Sequence, residues 1–224
     1  SRGCIYIFIF GFVFLTLPLN FALGANYGDV VINEVFYDPI GTDTGLEWIE
    51  LYNPQSDPIN LNGYDLGASS KYFTFPSFVL ASKSYVVVHW NAIGENTITE
   101  LYTGINNNNM GNTSGWVALF KNTTHSKDTI VDYIEYGATK QSWESTAKDA
   151  GIWQEGQFVS GVEKEGESIG LKIDGEDNNL PQDWQIFTSP TPGKSNLESI
   201  ITPSQPLSAN AGDDVISTTG TEIT

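Results

Sequence analysis

Short apolar or alternating runs recur along the chain, each closed by Gly, Pro, Asn or Asp. "DVVINEVFY" (29–37) stops at Asp38-Pro39, and "EWIELYN" (47–53) stops at Pro54. "LNGYDLG", "YFTFP", "SYVVVHW" (84–90), "TITELYTG", "GWVALFKN" (115–122) and "DTIVDYIEYG" (128–137) follow. Each has strand length, a β-branched and aromatic content, and hairpin-like spacing from the next. None keeps a helical period over three turns; "SWESTAKDAG" predicts only a short helix. Seven or eight short strands in about 110 residues predict an all-β fold, an immunoglobulin-like β-sandwich. The pattern loosens into a long loop from Ala138 to Phe158, and "ESIGLKI" (167–173) predicts one more strand. "DGEDNNLPQDW" reads as an acidic turn region, "SPTPGKSN" (189–196) closes the domain, and 197–207 form a linker.

The same alternation assigns faces. In "EWIELYN", Ile49 and Leu51 share the core face, while Trp48, Glu50 and Tyr52 share the other. Glu50 is then a solubilising charge between two rings. Glu47 takes the inward parity at the very start of the strand, where the mouth of a sandwich is wet. Glu47 and Glu50 therefore point to opposite faces and cannot act as a glycosidase pair.

The chain opens with Arg2 and an apolar run from Ile5 to Leu19, followed by small residues at Ala22 and Gly24. That order predicts an export signal over residues 1–25. A spanning helix wants roughly 20 apolar residues, and here Pro18 and Asn20 interrupt the end of the run. Cys4 lies inside this segment, so the mature chain has no cysteine and its core holds without disulfides. Loss of Arg2 leaves nine basic against 27 acidic side chains, a formal charge of −18. Such a surface repels phosphate backbones, so nucleic acid is not expected as a partner.

"VVINEV…EWIELYNP", "GYDL", "FTFPSFVLASKSYVVVHW" and "GWVALFKN…IVDYIEYG" together resemble the lamin tail domain. That immunoglobulin-like module occurs in nuclear lamins and in many exported prokaryotic proteins. "ESIGLKIDGEDNNLPQDWQIFTSPTPGKSN" resembles the close of the exported prokaryotic type, so the resemblance covers residues 28–196. "PLSANAGDDVISTTGTEIT" (206–224) resembles the start of a polycystic-kidney-disease-type repeat, a further immunoglobulin-like module placed at 208–224. The resemblance implies a piece of a longer, modular extracellular protein. The basic surface through which lamins meet chromatin is not matched in this acidic chain, and that binding is not carried over.

Candidate chemistry is sparse. Glu34, Asp38, Asp43 and Glu47 lie around the first turn, and calcium takes six to eight oxygen ligands of this kind. Gly41 and Gly45 are misplaced for an EF-hand, so solvated turn carboxylates are the competing reading. Asp174, Glu176, Asp177 and Asp183 have the same two readings, with turn chemistry sufficient to explain them. His89 and His125 lack the spacing of metal ligands. No nucleophile elbow, P-loop or dinucleotide motif is present, and no catalytic or cofactor-binding residue is assigned. Trp48 and Tyr52 are candidate ligand-contact rings if they stand outside. "NTS" at Asn112 and "NTT" at Asn122 match the glycosylation sequon.

These features predict a non-catalytic extracellular module used for attachment, spacing or protein interaction. Its expected partners are proteins or polysaccharide at the cell surface, with membrane contact only through an uncleaved signal. A carbohydrate-binding module is one alternative. The other is an accessory domain of a secreted hydrolase or nuclease whose catalytic domain lies beyond Thr224.

Overall fold

A computed structural model of the protein describes residues 30–197. The export signal, the polycystic-kidney-disease-type segment and the linker after Leu197 lie outside the described residues. Twelve strands are present in that span: β1 (Val31–Phe36), β2 (Trp48–Tyr52), β3 (Ile59–Asn60), β4 (Asp65–Ala68), β5 (Lys71–Thr74), β6 (Val79–Leu80), β7 (Tyr85–His89), β8 (Glu100–Tyr102), β9 (Gly115–Phe120), β10 (Ile130–Tyr136), β11 (Ser168–Leu171) and β12 (Trp184–Phe187). Besides a 3-10 turn at Pro181–Asp183, the described residues hold one α-helix, α1 (Glu144–Ala150), which occupies "SWESTAKDAG" and stops at Gly151, whose left-handed φ of 77° returns its N–H to the last turn.

β12-β11-β1-β2-β7-β8 form one sheet and β10-β9-β4-β5 the facing one, with β3 and β6 as a separate ribbon. All neighbours are antiparallel except β7 and β8, which run parallel. Side-chain alternation aims Ile32, Val35, Ile49, Leu51, Val86 and Val88 from the first sheet at Leu66, Ala68, Val117, Leu119 and Ile134 of the second, and all of these are fully buried. A bulge between Ile32 and Glu34 interrupts β1. At that point Asp132 of β10 crosses the core and accepts the Ile32 N–H at 2.6 Å. Burial holds Asp132 well above the usual carboxylate range, and it keeps its proton against Asp177.

The outward faces of both sheets are covered. Over the second sheet lie α1 and the residues around it: Trp153 meets Tyr133 edge-on and Trp143 meets Phe120 edge-on. Glu135, on this outward face, is fully buried and takes the Trp153 indole N–H at 3.2 Å and the Gln141 N–H at 3.0 Å. The long loop predicted from Ala138 to Phe158 is thus a packed layer containing a helix. His125 packs there too, stacked on Tyr72 with its Nε2 2.6 Å from Asp65.

Over the first sheet the chain after β11 folds back. β12, which the sequence pattern did not separate from the closing turn region, forms one edge of this sheet. The other edge strand, β8, carries its own cap. Asn96 Oδ1 takes the Tyr102 N–H at 2.8 Å, Thr97 Oγ1 takes the Glu100 N–H at 3.0 Å, and the Thr97 N–H reaches Glu100 O at 2.8 Å. Those are the groups an added strand would need.

Candidate functional site

Register across the first sheet lines up Phe36, Trp48, His89 and Tyr102 in one row, and Glu34, Glu50, Val87 and Glu100 in the next. The alternation in "EWIELYN" is as the sequence implies: Ile49 and Leu51 face the core, and Trp48, Glu50 and Tyr52 face away from it. What lies over that outer face differs from expectation.

Glu50 is fully buried rather than a solubilising surface charge. It accepts the Asn33 amide at 2.9 Å and the Gly193 N–H at 2.6 Å. Gly193 has a φ of 75°, a conformation that costs glycine nothing and that allows its N–H to turn onto the sheet. Glu34, also fully buried, accepts Ser168 Oγ, the Thr191 N–H at 3.1 Å and Thr191 Oγ1 at 2.8 Å. Asn196 donates to Asn33 O at 3.2 Å and Leu171 O at 2.8 Å, and Asp174 accepts Asn33, Ser195 and the Asn196 N–H. A Cβ at Gly170 would meet Asn196 and Phe187 at 2.9 Å, so only glycine admits this close approach. "SPTPGKSN" therefore does more than end the domain: it is bolted onto the sheet through Glu34 and Glu50.

These partners are mostly neutral donors, and the carboxyls respond. Burial pushes Glu50 up to about 9, against the bonds from Asn33 and Gly193, and burial likewise raises Glu34. Glu50 holds its proton at neutral pH. The second acidic group serves turn and packing chemistry: Asp183 accepts the Asn178 and Leu180 N–H groups, and Asp177 accepts that of Asn179.

The candidate ring platform is not formed. Trp48 is 6% exposed, enclosed by its cross-strand neighbours and stacked on Phe36 with centroids 5.5 Å apart. His89 and Tyr102 stack in the same manner at 4.4 Å. Enclosure of Trp48 leaves its indole no open face for a sugar. Tyr52 is half-buried against Tyr85 at 4.6 Å, beside the Asp174 turn.

The structure also divides the candidate calcium ligands. Glu34 belongs to the C-terminal bolt. Asp38, Asp43 and Glu47 stay together at the loop end of the sandwich, with the chain from Asn107 to Asn112. Asn112 donates to Asp38 at 2.8 Å and to Asp43 at 3.3 Å, and Asn109 reaches Asp43 at 3.5 Å. Glu47 is fully buried, not at a wet mouth, and its Oε1 takes the Met110 N–H at 2.7 Å. Burial pushes Glu47 up to about 9, with the charges of Asp43 and Asp38 adding to the effect. Among the described residues, no three His, Cys, Asp or Glu side chains converge closely enough to hold a metal ion. Asn109 escaped sequence reasoning and Asn112 was singled out only as a sequon, although the run "NNNNMGN" was the signal for both.

A family model, the Lamin Tail Domain, matches residues 24–138, just over half of the 224. The chain belongs to the lamin tail domain family. Its immunoglobulin-like, all-β architecture is that of the family, which is non-enzymatic and serves in general as a binding or interaction module. No curated protein matched the chain. The match ends at Ala138, yet β11 and β12 extend the first sheet of this lamin tail domain and the 189–197 segment closes over it.

Proposed function

We propose that this lamin tail domain is a non-catalytic extracellular module of a larger secreted or cell-surface protein, standing to one side of the chain for attachment or protein interaction. The observation that carries the reading is where the described body begins and ends. Asn33, in the first strand, bonds Asn196, next to the last described residue, at 3.2 Å. Chain entry and exit are thus neighbours. A body of this size has a radius of gyration of roughly 15 Å, so a module joined at one point adds far less than its own breadth to the reach of its parent. That favours display over spacing. The acidity of the chain supports the expectation of protein or polysaccharide partners over nucleic acid, and the enclosure of Trp48 weighs against a sugar platform built on it.

The test places residues 28–197 between two rigid immunoglobulin domains and measures the particle by small-angle scattering. A side-standing module lengthens the particle by about 20 Å or less, whereas an in-line spacer adds roughly 40 Å. The longer value would overturn the reading. Protease accessibility on intact host cells tests export: resistance until the cells are lysed would place the protein inside.

A further inference from the structure

Two segments of the chain match the N-glycosylation sequon, and the fold treats them differently. "NTS" at Asn112 is spent on structure. The Asn112 amide nitrogen donates to Asp38 at 2.8 Å and to Asp43 at 3.3 Å. A sugar on that nitrogen would replace one of its two hydrogens and break one of these bonds. Beside it, a Cβ at Gly137 would meet Thr113 O at 1.9 Å, so the middle of this sequon is packed backbone to backbone.

"NTT" at Asn122 lies in the turn between β9 and β10, and Asn122, Thr123 and Thr124 are all exposed. Asn122 Oδ1 accepts the Thr124 N–H at 2.8 Å, which makes an Asx turn. That bond fixes the carboxamide through its oxygen alone. Among the described residues neither Asn122 Nδ2 nor Thr124 Oγ1 has a hydrogen-bond partner. The rest of the turn is held by other groups. The Lys121 N–H reaches Thr129 O at 2.7 Å, the Ser126 N–H reaches Thr129 Oγ1 at 3.0 Å, and that hydroxyl donates to Thr124 O. The amide nitrogen and the hydroxyl that define the sequon are thus left free on a turn that other bonds hold.

We propose that Asn122 is an N-glycan acceptor and that Asn112 is not, an inference that rests on export of the chain. The donor is an oligosaccharide carried on a polyprenyl diphosphate lipid and used by a membrane transferase. Asn122 Nδ2 attacks the anomeric carbon of the first sugar. A C–N bond forms, the C–O bond to the diphosphate breaks, and the lipid diphosphate leaves with that electron pair. Nδ2 gives up one proton, and the Oδ1 bond to Thr124 is kept. The Asx turn closes within three residues, so it needs no distant part of the fold. Exposure of all three residues leaves room for a bulky, solubilising group.

The full chain is isolated from the surface of its host cells, digested with trypsin and analysed by mass spectrometry. Cleavage after Lys83, Lys121 and Lys127 separates Asn122, in 122–127, from Asn112, in 84–121. The first peptide should gain the mass of an oligosaccharide and the second should not. Thr124→Ala keeps the backbone N–H that Asn122 accepts, so it should melt like the parent yet lose the glycan, as should Asn122→Gln. An unmodified 122–127 peptide in the exported protein overturns the site, and so does a glycan at Asn112 in its place. Retention of the chain inside the cell would instead refute export. The site is then decided by translating residues 28–224 behind a cleavable signal into microsomes charged with the lipid-linked donor. Protease-protected product without a glycan at Asn122 overturns it there.

Discussion

Replacing Glu50 with glutamine should change how the stability of this domain depends on pH. Glu50 has its usual carboxyl pKa in the unfolded chain and one near 9 in the fold, because burial disfavours its charge. A raised folded pKa contributes stability that is complete below about 4.5 and is lost as pH rises toward about 9. In that window the unfolded chain has released the proton while the native state keeps it. The penalty grows by about 1.4 kcal/mol per pH unit for one such group. Glutamine removes that proton from the balance. Its amide, however, must place an NH2 against a donor, either Asn33 Nδ2 or the Gly193 N–H, at a cost of about 1–3 kcal/mol. The variant should therefore be less stable than the parent at pH 4.5 and overtake it between about pH 5 and 7. Urea denaturation followed by tryptophan fluorescence from pH 4.5 to 8.5 gives the two curves. Parallel curves over that range would mean that Glu50 is ionised in the native fold, and the account of the C-terminal bolt would be wrong.

Trp48→Ala should cost about 3–5 kcal/mol by chemical denaturation, since the indole is enclosed and stacked on Phe36. A loss below about 1 kcal/mol would return Trp48 to the surface. Asn96→Ala frees the Tyr102 N–H on the edge strand β8 and should cost only about 0.5–1.5 kcal/mol. Its larger effect should be faster growth of light scattering at high protein concentration, and unchanged scattering would show that the cap does not guard this edge.

How far local pattern reaches is clearest in "EWIELYNP". Alternation along one strand is a property of the backbone, so it placed Ile49 and Leu51 inward and Trp48, Glu50 and Tyr52 outward without any knowledge of the rest of the chain. Strand after strand, the same period set out the sandwich, and the order of the motifs carried the resemblance to lamin tails. Burial of the outward residues is not local. It depends on segments far away in sequence: Thr191 and Gly193 lie more than 140 positions from the carboxyls they hold. Glu34 and Glu50 look like surface charges until "SPTPGKSN" folds across them, and Glu135 looks exposed until Trp153 does the same. Within an unbroken strand such as β2 the sequence determined which way each side chain points, though not across the bulge in β1; only the tertiary structure decided whether water waits there, because solvation is set by whatever the chain later lays on top.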